Sequence, residues 1–171
     1  MFKSLDQNLE KNEVFTQIEV QLKNFNYEII AQDQNRPWGG FFVIDPKQIE
    51  AFKEMFFKEV DIDLSNNLSY SPKTLLVAPN QKLSWQYHYR RSELWKLVAG
   101  EAAIARSETD EENPSVPMIK DQVVKLAQGE RHRLIGTDGW GVVAEIWVHT
   151  DINNPSNEED IVRLQDDYAR K

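Results

Sequence analysis

Hydrophobic and polar positions change their rhythm partway along the chain. Residues 5–24, LDQNLEKNEVFTQIEVQLKN, set apolar side chains at helical intervals, and Asn24-Phe25-Asn26 ends the pattern, which predicts one helix. Tyr27-Glu28-Ile29-Ile30 and Phe41-Phe42-Val43-Ile44 read as short strands on either side of a loop that Pro37-Trp38-Gly39-Gly40 breaks. Residues 46–59 return to helical spacing, with Pro46 in the first turn. Phe52, Met55 and Phe56 share one face of that helix, which predicts core packing.

From Lys73 onward the rhythm shortens. Apolar runs at Thr74–Ala78, Leu83–His88, Leu94–Val98, Ala102–Arg106, Val123–Leu126 and Val142–His149 read as strands. Turn signals separate them at Pro79-Asn80, Gly100-Glu101, Gln128-Gly129 and Thr137-Asp138-Gly139. Short strands without intervening helices predict a mainly β chain folded as a sandwich or barrel. Residues 107–117, SETDEENPSVP, form a polar loop, and the tail 157–171 reads as a short helix or an extended arm. At 171 residues one globular domain is expected. Within it, residues 1–60 would make a helical extension with the first strands, packed on a β-barrel of residues 61–171.

Composition narrows the function classes. With no cysteine in the sequence, disulfides and thiolate metal sites are excluded. No run approaches the roughly 18 apolar residues of a membrane span, and the first residues, MFKSLDQNLEKNEVF, lack an apolar signal core. A cytoplasmic protein without a membrane partner is therefore expected. A net charge of -8 argues against nucleic-acid binding. The acids gather at Glu108, Asp110, Glu111 and Glu112 and at Glu158, Glu159 and Asp160, whereas Arg90-Arg91, Arg131 and Arg133 stand beside histidines. Local basic pairs in an acidic chain suit a small anion better than a polyanion.

The candidate chemistry lies in residues 85–100, WQYHYRRSELWKLVAG. Imidazole and carboxylate are ligands for a borderline divalent cation, and a glutamine oxygen can add a weaker bond. Strand alternation puts Gln86, His88 and Arg90 on one face, and a phase change at the following bend could return Glu93 to the same interior. A further histidine would close the set, and only His132 and His149 remain. His149 ends an apolar run and looks exposed. Spacing by itself leaves open whether the stretch is a charged hairpin or half of a metal site.

The intervals resemble the two cupin motifs. Asn80, Gln86, His88, Glu93 and Gly100 fall at the places of the first, and Asp121, Ala127, Gly129, His132 and Gly136 at those of the second. Asn80 and Asp121 stand where the pattern has glycine. The segment from Pro79 to Gly100 is also similar to the signature of type II, cupin-type mannose-6-phosphate isomerases, through Gln86, His88, Arg91, Glu93 and Trp95. Arg36-Pro37-Trp38-Gly39, His132-Arg133-Leu134, Glu159 to Arg163 and Asp166-Asp167-Tyr168 extend the likeness over roughly residues 36–170. This chain departs from it at Tyr89 and Arg90, where the family has histidines, and at Ala127, where it has proline. The nucleotidyltransferase domain often fused ahead of such isomerases is absent from this sequence.

The resemblance implies a cupin (double-stranded β-helix, or jelly-roll) barrel with an N-terminal helical extension. It implies isomerisation of a sugar phosphate, mannose 6-phosphate to fructose 6-phosphate, through a cis-enediol. One divalent ion, zinc first with manganese, iron or nickel as other choices, would be held by Gln86, His88, Glu93 and His132. Arg91 would act on the substrate, and Glu145, in an apolar strand, is the candidate base. Arg36, Arg90, Arg133 and Arg163 are candidates for substrate and phosphate contacts, and Trp38 and Trp95 for walls of the sugar pocket. A homodimer is the family expectation. The rival readings are an isomerase of lyxose, mannose or a heptose phosphate, and a sugar-binding cupin that has lost turnover; an oxygen-using cupin fits less well.

Overall fold

The computed structural model describes residues 2, 3, 5, 9–65 and 69–169. Helix α1 (Lys11–Asn24) buries Val14, Phe15, Ile18 and Leu22 along one stripe, and the Glu13 carboxylate caps it by accepting the Glu10 N–H at 2.9 Å. The predicted helix over 5–24 is thus shorter at its start. Glu10 has extended backbone angles, Leu5 packs in the core from outside the helix, and residues 6–8 lie outside the described residues. Strands β1 (Ile29–Asp33) and β2 (Gly39–Ile44) follow, and a 3-10 turn at Pro46–Gln48 leads into α2 (Ile49–Phe56). In α2 the buried face is Ile49, Phe52 and Phe56, while Met55 is 39% exposed. Met55 sits beside the stripe, with its sulfur 3.6 Å from the Tyr27 hydroxyl.

The remaining strands are β3 (Tyr70–Val77), β4 (Trp85–Tyr87), β5 (Arg91–Ser107), β6 (Val116–Pro117), β7 (Val123–Leu126), β8 (Arg131–His149) and β9 (Val162–Gln165). All pairings are antiparallel, along the path β1-β2-β3-β8-β4-β9, with β5 joined to β6, β7 and β8. This path does not close on itself among the described residues. Among the described residues no helix is long and apolar enough to cross a membrane.

Two expected turns are not turns. Gly100-Glu101 and Thr137-Asp138-Gly139 lie inside the long strands β5 and β8, which bend together where Gly100 faces Gly141 and the register slips. Gly100 has φ +67, and a Cβ there would stand 1.8 Å from the Trp140 carbonyl oxygen, so the strands approach too closely for a side chain. Asn80 and Asp121, standing where the cupin pattern has glycine, adopt φ of 56 and 63. Asparagine and aspartate tolerate this left-handed backbone better than other substituted residues, so the turns survive the replacement. The tail is extended, and β9 pairs with β4.

Strand alternation separates two cores. Phe42, Ile44, Leu76, Leu94, Val98, Val142, Ala144 and Ile146 face the helices, together with Phe15, Leu22 and Phe52. Phe41, Leu75, Val77, Trp95, Leu97, Leu134 and Val143 face the other way and line an inner core. Lys73, Glu93, Glu145 and Trp147 share the parity of that inner set, so alternation delivers charged groups into the fold's interior. The α2 packing has a direct check by urea unfolding. Phe52→Ala should cost about 3–5 kcal/mol, whereas Met55→Ala should cost less than about 1 kcal/mol.

Candidate metal centre

Strand β4 ends at Tyr87, and that early stop shapes the centre. His88 still turns inward and is 2% exposed, but residues 88–90 leave the strand before β5 begins at Arg91. The parity therefore resets. Arg91 and Glu93 turn inward, and Arg90 turns out. His132 enters from the start of β8, where it pairs with Gln86 on β4 and Arg106 on β5. One ligand atom from each of His88, Glu93 and His132 lies within 4.8 Å of the others.

Backbone carbonyls fix both imidazoles. His88 Nδ1 donates to the Asp160 carbonyl at 2.6 Å, and His132 Nδ1 donates to the Glu130 carbonyl at 2.9 Å. A ring whose Nδ1 carries the proton presents a bare Nε2 lone pair. These lone pairs meet the Glu93 carboxylate: His88 Nε2 lies 3.4 Å from Oε1, and His132 Nε2 lies 3.3 Å from Oε2. Both His132 Nε2 and Glu93 Oε2 are buried without a hydrogen-bond partner. Acceptors facing acceptors in a dry interior call for a cation between them, so these residues fit a divalent ion. Burial, with Arg91 and His132 adding to it, pushes His88 down to about 3 despite Glu93, which keeps the ring neutral. Burial disfavours the ionised Glu93, but the Arg91 guanidinium donating to it outweighs that and holds the carboxyl well below its usual range.

Gln86 stands beside His88, with its Nε2 3.4 Å from His88 Nε2 and its Oε1 accepting from the Ser84 hydroxyl at 2.6 Å. To offer an oxygen ligand the carboxamide must turn over, and the Ser84 hydroxyl can then accept from its NH₂. Arg91 donates from Nε to Glu93 Oε1 at 2.6 Å and from Nη2 to His88 Nε2 at 3.0 Å. Its Nη1 donates to Ser156 Oγ at 2.7 Å, and its guanidinium stacks 3.6 Å from the centre of the Trp147 ring.

A cleft of about 560 Å³, part of it open to solvent, adjoins the cluster. Arg36, Trp38, Arg91, Trp95, Glu145 and Arg163 all line it. Glu145 is 3% exposed and accepts from Trp95 Nε1 at 2.8 Å. Burial pushes its carboxyl up to about 7, with Glu93 adding to the shift and Lys73 and Arg91 opposing it. Arg36 enters the cleft while held by Asp33 at 2.7 Å.

Two arginine candidates lie elsewhere. Arg90 does not line the cleft; it donates to Asn154 Oδ1 at 2.5 Å and to the Pro155 carbonyl at 3.2 Å, because the chain leaves the strand before its position. Arg133 is buried away from the cleft, donating to Glu112 at 2.9 Å and to the Gln165 carbonyl at 3.2 Å. It follows His132 in β8, so alternation sends it to the opposite face. His149 is half-buried rather than exposed and lies outside the cluster; its Nε2 meets Ser71 Oγ at 2.8 Å and its Nδ1 accepts the Ser156 N–H at 3.1 Å.

Sequence reasoning missed two groups. Lys73 is 4% exposed and lines the cleft on β3, at the inward parity of Leu75 and Val77, a sign its apolar neighbours carried. Asp160 accepts the N–H groups of Tyr89 and Arg90 at 3.0 Å each and the Ser156 hydroxyl at 2.6 Å, while its carbonyl orients His88. No local pattern signals that role, because the partners are about seventy residues away.

Comparisons with known proteins identify the family and the fold. The family described as mannose-6-phosphate isomerase C-terminal matches residues 58–166. A mannose-1-phosphate guanylyltransferase from Salmonella montevideo is 28% identical over 151 residues, covering 88% of this chain and 26% of the relative. The xanthan biosynthesis protein XanB from Xanthomonas campestris pv. campestris is 27% identical over 135 residues, 79% of this chain and 23% of the relative. The chain thus spans about a quarter of the length of these relatives. Among solved structures, hazelnut (Corylus avellana) vicilin superposes with a TM-score of 0.54 at 14% identity, over 81% of this chain and 36% of vicilin. A recombinant oxalate oxidase in complex with glycolate gives 0.53 at 15% identity, over 78% of this chain and 59% of the other. These two likenesses concern the fold alone. With the family match covering most of the residues from the end of α2 to β9, the chain is a cupin of the mannose-6-phosphate isomerase C-terminal family.

Proposed function

We propose that the protein is a metal-dependent aldose–ketose isomerase of a phosphorylated sugar, with mannose 6-phosphate and fructose 6-phosphate as the pair. The observation that carries this reading is the buried Glu145, pushed up to about 7, in a cleft that Gln86 and the Glu93 of the His88/Glu93/His132 cluster also line. Family membership and relatives named for sugar-phosphate chemistry support the substrate class.

In this reading Gln86, His88, Glu93 and His132 hold one divalent ion, zinc first. When bound, such an ion polarises the sugar carbonyl and acidifies the neighbouring C–H. The remaining work falls to the chain's own groups. Glu145 takes the proton alpha to the carbonyl and returns it to the adjacent carbon, while the substrate's neighbouring hydroxyl proton passes to the former carbonyl oxygen, completing the exchange through a cis-enediol of the substrate. A carboxyl near 7 gives and takes a proton with comparable ease at neutral pH. Trp95 Nε1–H fixes one carboxylate oxygen of Glu145 and leaves the other for the substrate. Arg91 donates to oxygens of the reacting end, and Arg36 and Arg163 serve the phosphate. Trp38 and Trp95 wall the sugar ring.

A second reading, a sugar-binding cupin without turnover, draws support from Arg91. Its guanidinium already donates to Glu93 Oε1 and His88 Nε2, so an internal cation meets part of the cluster's demand.

Metal content separates the readings. Purified wild type should carry about one equivalent of a divalent ion by plasma mass spectrometry. His88→Ala should lose it, whereas His149→Ala should keep it; metal-free wild type would favour the second reading. The activity prediction is an assay on mannose 6-phosphate, fructose 6-phosphate, mannose and lyxose. Turnover is expected on the phosphorylated pair, with kcat/KM rising as pH climbs through about 7 and Glu145 loses its proton. Glu145→Gln should lower kcat by at least about a hundredfold. Turnover on none of the four, with metal bound, would overturn the isomerase reading.

A further inference from the structure

The cleft holds a buried ammonium that the isomerase reading does not use. Lys73, on β3, has a side chain only 5% exposed, and its Nζ sits 3.2 Å from the centre of the Trp147 ring and 4.9 Å from that of Phe41. Ring faces partly replace the lost hydration of a cation, but an ammonium so enclosed still needs an anion. The inner-facing Glu145 adds favourable charge, and Arg91 opposes it. The direct partner is Glu158, whose Oε1 lies 2.5 Å from Nζ.

Glu158 is an unusual partner. Its side chain is 54% exposed, and it belongs to the tail turn rather than to a strand. That turn is pinned on both sides of Glu158. Ser156 accepts from Arg91 Nη1 at 2.7 Å, and Asp160 holds the Tyr89 and Arg90 N–H groups. Swinging Glu158 out would therefore cost no backbone movement and would return a carboxylate to water. Lys73 has no such exit.

We propose that Lys73 is the anchor of an anion subsite in the cleft, with the Glu158 carboxylate as a built-in stand-in that an incoming phosphate group displaces. The inference rests on the isomerase reading only for the identity of the natural ligand. A phosphate dianion brings more charge and more acceptor oxygens than a carboxylate, so the exchange favours the substrate while the empty cleft keeps its lysine neutralised. Glu158 thereby screens the cleft against weak monoanions.

The test is calorimetric titration of inorganic phosphate, and separately of mannose 6-phosphate, into wild type, Glu158→Gln and Lys73→Met. Glu158→Gln should bind phosphate about fivefold more tightly, the worth of a half-exposed ion pair. Lys73→Met should bind it at least about tenfold more weakly. Glu158 is exposed, so its variant does not endanger the fold; should Lys73→Met fail to fold, Lys73→Arg keeps the charge and should retain binding. Equal phosphate affinity in wild type and Glu158→Gln, or no phosphate binding by either, overturns the subsite. Phosphate responses as expected with no turnover of any sugar would leave the subsite standing and sink the isomerase reading. Turnover with Glu158→Gln indistinguishable from wild type in phosphate affinity would sink the subsite alone.

Discussion

Burying the Glu93 carboxylate at 3% exposure strips it of water, and the surrounding structure answers that loss. Arg91 donates to one oxygen, and two imidazoles held with unprotonated nitrogens toward the carboxylate shape a place where a cation can complete the compensation. Each of these answers needs its own support. The Asp160 and Glu130 carbonyls hold the rings, Ser156 and Trp147 hold Arg91, and Asp160 pins the bend between β4 and β5. The tail is thus a structural part of the centre, since residues 156–160 supply the carbonyl that holds His88 and the hydroxyl that accepts from Arg91.

The long antiparallel pairing of β5 with β8 makes this arrangement reachable. β8 supplies His132 at one end and Glu145 and Trp147 toward the other, and its bend at Gly141 lets both parts serve one interior. The same alternation that puts Leu94, Ala144 and Ile146 against the helices puts Glu93, Glu145 and Lys73 inside. One rule of strand geometry therefore produces both the hydrophobic layer and the charged cleft. The N-terminal helices cover the outward face and leave the inward one for chemistry.

Much of this was legible in the residues. The strands from Thr74 to His149 were readable from their apolar runs, and the grouping of His88, Glu93 and His132 from their spacing and family likeness. Other features were not legible for physical reasons. Gly100 and Gly139 look like turn residues, yet Gly100 serves a bend within paired strands, a distinction that only the neighbouring strand decides. Arg90 appeared to share a face with His88, but alternation holds only while the strand lasts, and β4 ends at Tyr87. Met55 shows that two helical neighbours of a buried residue need not both be buried. Lys73 was overlooked because a lysine in a strand is ordinarily solvated, and its enclosure depends on Trp147 and Glu158 from distant parts of the chain.

The central claim is that Glu93 and the two bare imidazole nitrogens form a cation cage. X-ray absorption spectroscopy on the zinc-loaded protein tests it most directly. The account predicts two imidazole ligands with Zn–N near about 2.0–2.1 Å and the rest oxygen, with the imidazole signal reduced in His132→Ala. Zinc bound through oxygen alone, or a spectrum that His132→Ala leaves unchanged, would contradict it.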